Sequence, residues 1–310
     1  MGNSKALTIK NSMQAMQKPR PRKGIILAGG HGSRLAPVTN VISKHLLPVY
    51  DKPLLYYGLS VLLQAQTRDI LIICAARDIS QYSKLLSDGS QWGVNFTYCV
   101  QHEPKGIAHA FLLAQEFLNG ADSVLVLGDN IFYGNGLQDM LSKANDRTHG
   151  ATVFAYYVKD PSRYGVIGFD SNGKVETIEE KPLKPASNYA VTGLYFYDEQ
   201  VIEFAKSLSP STRNELEITD INRMYMAQGS LDVQVMGPGY AWLDTGTPTA
   251  LLDASQFVRV VEERQGLKIA CPEQIAFEQG FIDAAQLEKV AQPLLKSGYG
   301  EYLMRILKRE

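Results

Sequence analysis

A glycine-rich loop that follows a short apolar segment constrains this chain more than any other feature of its sequence. Residues 24–28 (GIILA) form an apolar run, which is typical of a strand buried on both faces of a parallel sheet. Gly29, Gly30 and Gly32 follow at once and supply backbone without side chains, so that successive N–H groups can surround an anion. The pattern predicts a strand that ends in an anion-binding loop.

Two cations stand close to this loop in the sequence. Arg34 follows the last glycine by two positions and Lys44 follows ten positions later, which suits the several negative charges of a nucleoside triphosphate. The loop lacks the third glycine of the GxGxxG dinucleotide motif and the Gly-Lys-Ser/Thr of a P-loop, so a dehydrogenase or a P-loop enzyme is disfavoured. On the paired glycines alone, a simple tight turn is an equal alternative.

Strand-like and helix-like segments alternate after the loop. Residues 54–66 have the length and apolar character of a helix, whereas residues 69–75 and 123–127 have those of buried strands. This alternation predicts an α/β fold with a Rossmann-like, mostly parallel sheet flanked by helices. Ligands of such sheets bind beyond the carboxyl ends of the strands, which is where the glycine loop lies.

The later parts of the chain have a different character. Further strands are predicted at residues 151–158, 166–169, 174–178, 189–197 and 232–236, and helices at 247–263, 284–295 and 300–308. The strands suggest a mixed β extension, and the helices a C-terminal helical region. The resulting division is a flexible tail (1–22), an α/β core (23–150), a mixed β part (151–246) and a helical part (247–310).

Composition excludes several classes of partner. The 310 residues carry a formal net charge of −1, so nothing attracts the chain as a whole to nucleic acid or to acidic membranes. Cys74, Cys99 and Cys271 are isolated, which fits a reducing cytoplasm and neither a disulfide framework nor a zinc site. There is no apolar run of the length that a membrane span requires.

Asp129 is the first candidate metal ligand, because it follows the predicted strand at residues 123–127. Mg²⁺ commonly binds through one or two carboxylates together with substrate phosphates. The alternative is that Asp129 only stabilises the following turn, which is the more common role of such a residue and is favoured when the residue is taken in isolation.

Seven motifs occur in order along the chain: GGxGxR from Gly29, Ser43-Lys44, LPVYDKP from Leu47, GDN from Gly128, EEKP from Glu179, ELEITD from Glu215 and WLDTG from Trp242. Their combination resembles the sugar nucleotidyltransferase family, and within it the thymidylyltransferases, from about residue 23 to the C-terminus. The resemblance implies Mg²⁺-dependent condensation of dTTP with α-D-glucose 1-phosphate to dTDP-glucose and pyrophosphate, by in-line attack on the α-phosphorus.

The resemblance also implies a role for individual residues. The implied catalytic residues are Arg34, Lys44 and Lys181. The implied nucleotide-binding residues are Leu27, Gly29, Gly30, Gly32, Ser33, Gln101, Gly106 and Asp129. The implied sugar-phosphate-binding residues are Tyr164, Gly165, Glu180, Lys181, Val191 and Arg213. Asp129 and Asp244 would share one Mg²⁺.

Four positions near the nucleotide differ from the usual thymidylyltransferase pattern: His45 for Gln, Lys105 for Asp, Ile107 for Leu and His109 for Gln. They favour, as an alternative, a related enzyme that uses UTP or another hexose 1-phosphate. A non-catalytic nucleotide-sugar sensor is a more distant alternative, against which the presence of all the implied charged residues speaks. The resemblance further implies a cytoplasmic homo-oligomer, a dimer of dimers, that feeds dTDP-sugar synthesis such as that of dTDP-rhamnose.

Overall fold

The computed structural model describes residues 21–308. The predicted flexible tail, residues 1–22, therefore lies outside the described residues except for Pro21 and Arg22. The strands in the described range are β1 (Lys23–Ala28), β2 (Pro48–Val49), β3 (Lys52–Pro53), β4 (Asp69–Cys74), β5 (Asn95–Val100), β6 (Ser123–Leu127), β7 (Asn130–Gly134), β8 (Ala151–Tyr157), β9 (Gly165–Phe169), β10 (Val175–Glu180), β11 (Tyr189–Tyr197), β12 (Leu231–Met236) and β13 (Tyr240–Asp244).

The helices cover both faces of the main sheet and form the C-terminal region. They are α1 (Leu55–Gln64), α2 (Ile79–Leu86), α3 (His109–Leu113), α4 (Gln115–Leu118), α5 (Leu137–Asp146), α6 (Val201–Ser207), α7 (Ile218–Ala227), α8 (Pro248–Gln265), α9 (Pro272–Glu278), α10 (Ala284–Ala291) and α11 (Gly298–Leu307). Short 3₁₀ turns connect several elements, and those at Ser33–Leu35 and Pro161–Arg163 carry candidate site residues. None of the helices in the described part of the chain combines the length and apolar character needed to cross a membrane.

Nine strands form one sheet in which the order β10-β9-β11-β6-β1-β4-β5 is continuous. β6, β1, β4 and β5 run parallel, with Gly24 of β1 opposite Val124 on one side and Ile70 on the other. β11 joins antiparallel to β6, and β8, β9, β10 and β12 extend the sheet beyond it. The topology confirms the predicted α/β class, with a parallel sheet and a mixed extension.

The apolar run of β1 is explained by burial on both of its faces. Ile26 packs in a core with Leu59 and Leu62 of α1, whereas the adjacent Ile25 packs on the opposite face with Phe111 of α3. Both isoleucines are fully buried. A strand covered by helices on each side cannot alternate apolar and polar residues, which is why the run was recognisable in the sequence.

The two segments that carry the predicted metal ligands pair with each other outside the main sheet. β7 and β13 form an antiparallel ribbon in which Asn130 lies opposite Asp244. Sequence patterns did not predict these strands, because each is short and belongs to a two-stranded unit with no alternating pattern of its own. The pairing nevertheless brings together residues that lie more than a hundred positions apart in the chain.

Candidate active site

A cleft of about 550 Å³ opens beyond the carboxyl end of β6, between the parallel sheet and its mixed extension. The predicted site residues that line it are Arg34, Asp129, Tyr164, Gly165, Glu180, Lys181, Val191 and Asp244. The other predicted residues are not part of its lining: Leu27, Gly29, Gly30, Gly32, Ser33, Lys44, Gln101, Gly106 and Arg213. Residues from both halves of the chain thus meet in one cleft.

The glycine loop lies against the predicted base-binding glutamine. A Cβ atom on Gly29 would stand 2.1 Å from Oε1 of Gln101, so a larger residue would have to displace that amide. Gln101 is almost fully buried, and its amide nitrogen lies 3.4 Å from Nδ1 of His109. Gly32 has the left-handed φ of 63° that lets the loop enter the turn carrying Arg34. The phosphate loop and the base-binding segment therefore adjoin, as a nucleotide spanning both would require.

Lys44 and Asp129 form a direct ion pair at the start of the cleft. Although burial favours the protonated acid, the Lys44 ammonium and hydrogen bonds from Lys44 and Asn130 lower the pKa of Asp129 to about 2. Asp129 is therefore ionised at neutral pH. The pairing places a cation and a carboxylate where the phosphates of a nucleotide held by the glycine loop would lie.

Asp244 reaches the same place from the other half of the chain. The N–H and the hydroxyl of Thr245 donate hydrogen bonds to the carbonyl oxygen of Asp129, over 3.2 and 2.8 Å. Burial and the negative charge of Asp129 raise the pKa of Asp244, and nearby cations only partly compensate. The fold thus places two partly buried carboxylates close enough for the charge of Asp129 to raise the pKa of Asp244.

This arrangement fits the predicted magnesium ion. The described residues hold no cluster of three or more His, Cys, Asp or Glu side chains suited to a metal, so no all-protein cage is available among them. Two carboxylates completed by substrate phosphates and water are a common set of ligands for Mg²⁺. A divalent cation would also relieve the repulsion that raises the pKa of Asp244.

Asn130 links the turn that carries Asp129 to β11 and β13, a role that the sequence did not reveal. Its Oδ1 accepts hydrogen bonds from the N–H of Gly193 (3.0 Å) and from the indole N–H of Trp242 (2.6 Å). Its Nδ2 donates to the carboxylate of Asp129 over 3.0 Å. The GDN and WLDTG motifs contain Asn130 and Trp242, but only the tertiary pairing of β7 with β13 shows that they contact each other.

The opposite wall of the cleft carries Glu180 and Lys181 at the end of β10. Glu180 accepts a hydrogen bond from the Thr219 hydroxyl over 2.5 Å and lies opposite Gly165 in the sheet. Lys181 has a φ of 45°, unusual for a residue with a side chain, while its N–H donates to the carbonyl of Tyr164 over 2.9 Å. Such backbone conformations occur preferentially at functional sites. The ammonium of Lys181 is partly exposed and lies 3.7 Å from Glu180.

Arg213 lies behind Glu180 and is held by three carboxylates. Its Nη2 atom lies 2.7 Å from Glu217, 3.0 Å from Glu180 and 3.3 Å from Glu215. The next residue, Asn214, has a φ of 60°, a conformation that asparagine tolerates better than most residues. The contact of Arg213 with a sugar phosphate stays a prediction.

The four unusual positions near the nucleotide have different surroundings. His45 is buried beneath Gly128, with Nδ1 3.1 Å from the Tyr82 hydroxyl and 3.2 Å from that of Ser43. Burial and the nearby Lys44 lower its pKa to about 3, so the ring is neutral. Ile107 lines the cleft, His109 lies beside Gln101, and Lys105 is exposed and pairs with Glu103. His45 is thus packed beneath Gly128, whereas Ile107 lies in the wall of the cleft and His109 lies beside Gln101.

Comparison with known proteins agrees with this geometry. Residues 23–260 match the family model described as nucleotidyl transferase. The chain is 58% identical over 288 residues to glucose-1-phosphate thymidylyltransferase of Xanthomonas campestris pv. campestris, covering 93% of this chain and 98% of that protein. It is 54% identical to the enzyme of the same name from Neisseria meningitidis, covering 93% of this chain and 100% of the relative.

Solved structures show the same fold. The crystal structure of a Bacillus anthracis protein, assigned as a glucose-1-phosphate thymidylyltransferase and holding sucrose, aligns with a TM-score of 0.72 at 42% identity, covering 77% of this chain and 95% of that one. A UDP-glucose pyrophosphorylase aligns with a TM-score of 0.68 at 24% identity over 78% of this chain and 100% of its own, a likeness of fold alone. This chain is an enzyme of the nucleotidyl transferase family and is similar over nearly its whole length to members named glucose-1-phosphate thymidylyltransferase.

Proposed function

We propose that this enzyme condenses dTTP with α-D-glucose 1-phosphate to give dTDP-glucose and pyrophosphate. The observation that carries the proposal is the meeting, in one cleft, of Arg34 and Asp129, which is paired with Lys44, with Glu180 and Lys181 of the mixed sheet extension. Relatives that are 58% and 54% identical carry the name of this activity. In the proposed reaction an oxygen of the sugar phosphate attacks the α-phosphorus of dTTP in line, and pyrophosphate leaves.

The residues act by positioning substrates and stabilising charge, and no covalent protein nucleophile is needed. The glycine loop and Gln101 hold the nucleotide, and Arg34 with Lys44 stabilises the charge on the leaving pyrophosphate. Lys181 draws the acceptor phosphate towards the donor, since two phosphates repel each other strongly unless cations lie between them. Glu180, anchored by Thr219 and Arg213, accepts hydrogen bonds from the sugar hydroxyls.

Asp129 and Asp244 are the residues that would hold Mg²⁺. When bound, the ion supplies positive charge at the phosphate oxygens on which negative charge develops. The protein prepares this position: Lys44 keeps Asp129 ionised, and Asn130 orients the carboxylate through a hydrogen bond. Both carboxylates are largely shielded from solvent, which strengthens their interaction with any cation.

The test is pyrophosphate release with Mg²⁺ and glucose 1-phosphate, comparing dTTP with UTP, CTP, ATP and GTP. We expect the highest kcat/KM with dTTP and loss of turnover when a chelator removes the metal. A preference for UTP would keep the reaction class and assign the substrate change to the positions around Gln101, namely Ile107 and His109. Absence of turnover with every nucleotide, together with tight binding of dTDP-glucose, would favour the nucleotide-sugar sensor.

We further propose that the enzyme acts in the cytoplasm as a homo-oligomer, a dimer of dimers, and supplies dTDP-glucose for dTDP-sugar synthesis such as that of dTDP-rhamnose. The similarity to glucose-1-phosphate thymidylyltransferases supports this placement. Light scattering after size-exclusion chromatography tests the assembly, for which a mass four times that of the 34.3 kDa chain is expected.

A further inference from the structure

The side-chain amide of Gln101 is buried with most of its hydrogen-bonding capacity unused. Gln101 follows β5 and is 4% exposed, and its backbone N–H donates to the carbonyl of Cys74 over 2.8 Å. Within the described part of the chain, the amide has one hydrogen-bonding partner, Nδ1 of His109 at 3.4 Å. A primary amide can donate two hydrogen bonds and accept two. The carbonyl oxygen and one N–H of Gln101 therefore remain for a ligand.

His109, the first residue of α3, determines which way this amide is turned. Because the amide nitrogen of Gln101 is only a donor, Nδ1 of His109 accepts, and the ring proton lies on Nε2. The turned amide would place its oxygen against the Nδ1 lone pair, which is repulsive. Oε1 instead lies on the side of the glycine loop, 2.1 Å from where a Cβ atom of Gly29 would stand. Two neighbours thus agree on one orientation of the amide.

The protonation state of His109 supports this orientation at neutral pH. Burial, and then the positive charge of Lys105, lower the pKa of His109, so the ring is neutral and Nδ1 can accept. Lys105 itself pairs with Glu103 at 3.1 Å, and both of these side chains are exposed. An imidazolium would have no acceptor and would donate from Nδ1, which favours the turned amide.

The orientation of an amide matters because pyrimidine bases differ in the order of their donors and acceptors. Thymine and uracil present a carbonyl oxygen beside an N–H group, whereas cytosine presents an amino group beside an unprotonated ring nitrogen. An amide offers N–H and C=O side by side, so one orientation matches thymine and uracil and the turned orientation matches cytosine. We propose that His109 is a positioning residue that holds the Gln101 amide in the orientation matching thymine and opposing cytosine. The inference deepens the proposed function and rests on it for the presence of the base at Gln101.

The test is the ratio of kcat/KM for dTTP to kcat/KM for dCTP, with saturating glucose 1-phosphate and Mg²⁺. His109→Leu removes the acceptor, so the amide can turn, and the ratio should fall about tenfold at about pH 8. His109→Gln should keep the wild-type ratio, because its carbonyl oxygen can accept the same hydrogen bond. The matched control is His149→Gln, an exposed histidine outside the lining of the cleft, which should leave the ratio unchanged.

A pH profile of the same ratio is a readout that a purely structural role of His109 would not change. Both nucleotides carry a triphosphate, so the ionisation of the phosphates cancels in the ratio. In the wild type the ratio should fall only below the pH at which an ordinary histidine titrates, because the pKa of His109 is lowered. In His109→Gln it should not fall. Identical profiles for the wild type and His109→Gln would overturn the inference.

Equilibrium binding separates this inference from the proposed function. Calorimetry with Mg²⁺ and without sugar phosphate measures the affinities for dTTP and dCTP in the absence of turnover. A preference for dTTP that His109→Leu reduces supports the inference even if the wild type does not convert dTTP. Conversion of dTTP with a selectivity that His109→Leu leaves unchanged overturns the inference and leaves the proposed function intact. Absence of binding of either nucleotide by the wild-type protein overturns both proposals.

Discussion

The ammonium group of Lys44 is hydrogen-bonded directly to the carboxylate of Asp129, although the two residues are 85 positions apart in the chain. The pair joins the segment after the glycine loop to the turn after β6, so a cation is already in place beside a proposed metal ligand. In the proposed reaction Asp129 would be one of the residues that hold Mg²⁺, and the ammonium of Lys44 would supply positive charge to the phosphates of the nucleotide. Both partners of the ion pair thus act in the proposed chemistry.

Replacing either proposed metal ligand by its neutral isostere tests the metal site. Asp129→Asn and Asp244→Asn are each expected to reduce kcat by at least about a thousandfold, because one carboxylate provides too weak an anchor for the ion. Circular dichroism should show an unchanged fold. Substantial activity in both variants at saturating Mg²⁺ would contradict the assignment.

Asp244→Asn should also make the metal-free protein more stable at neutral pH. Burial and Asp129 raise the pKa of Asp244 in the folded protein, so its contribution to stability is present at low pH and is lost as the pH rises through the folded pKa. Asparagine carries no charge at neutral pH, so the repulsion by Asp129 disappears and the free energy of unfolding should rise.

Urea unfolding at pH 7 in chelator, with and without added Mg²⁺, provides the measurement. Mg²⁺ should stabilise the wild type and have little effect on Asp244→Asn. Asp253→Asn, an exposed position of α8, is the control and should behave as the wild type does. A variant that is less stable than the wild type in chelator would refute the repulsion between the two carboxylates.

Lys181→Met should affect the acceptor substrate selectively. The partly exposed ammonium lies at the wall opposite the glycine loop, so its loss should raise the KM for glucose 1-phosphate about tenfold or more and leave the KM for dTTP within about twofold. Initial rates with one substrate varied at a time measure both constants. An equal effect on the two substrates would count against placing Lys181 at the acceptor.

A buried ion network should stabilise the contact between the LPVYDKP segment and the C-terminal helices. The Lys52 side chain is 1% exposed and its ammonium lies 2.6 Å from Asp51 and 2.8 Å from Glu262 of α8, which Lys268 also contacts. Lys52→Met removes one of the cations that balance the two shielded carboxylates. The substitution should lower the free energy of unfolding by about 3 kcal/mol.

The control for this network is Lys206→Met. Lys206 pairs with Glu203 at 2.8 Å, but both side chains are well exposed, so its removal should cost no more than about 1 kcal/mol. Urea unfolding of the two variants measures the difference. A similar decrease in the free energy of unfolding of both variants would show that burial does not strengthen the ion pairs of Lys52.

The sequence by itself determined the class of fold, and it predicted which residues belong to the candidate site. Apolar runs such as residues 24–28 and 123–127 predicted parallel strands correctly because burial on both faces leaves no other pattern available. The sequence likewise indicated a turn at Gly29 and Gly32. In the structure Gly29 lies close to Gln101, and Gly32 has a positive φ, which disfavours larger residues. These features depend on local chemistry, which a single chain segment carries.

Contacts between distant segments were decided only by the tertiary structure. The β7–β13 ribbon sets Asp129 beside Asp244 and shows Asn130 bonded to Trp242, and neither strand had a pattern of its own. No sequence pattern indicated the three carboxylates that surround Arg213. Whether a charged side chain is free or neutralised depends on what the fold places around it, and no spacing along one chain records that.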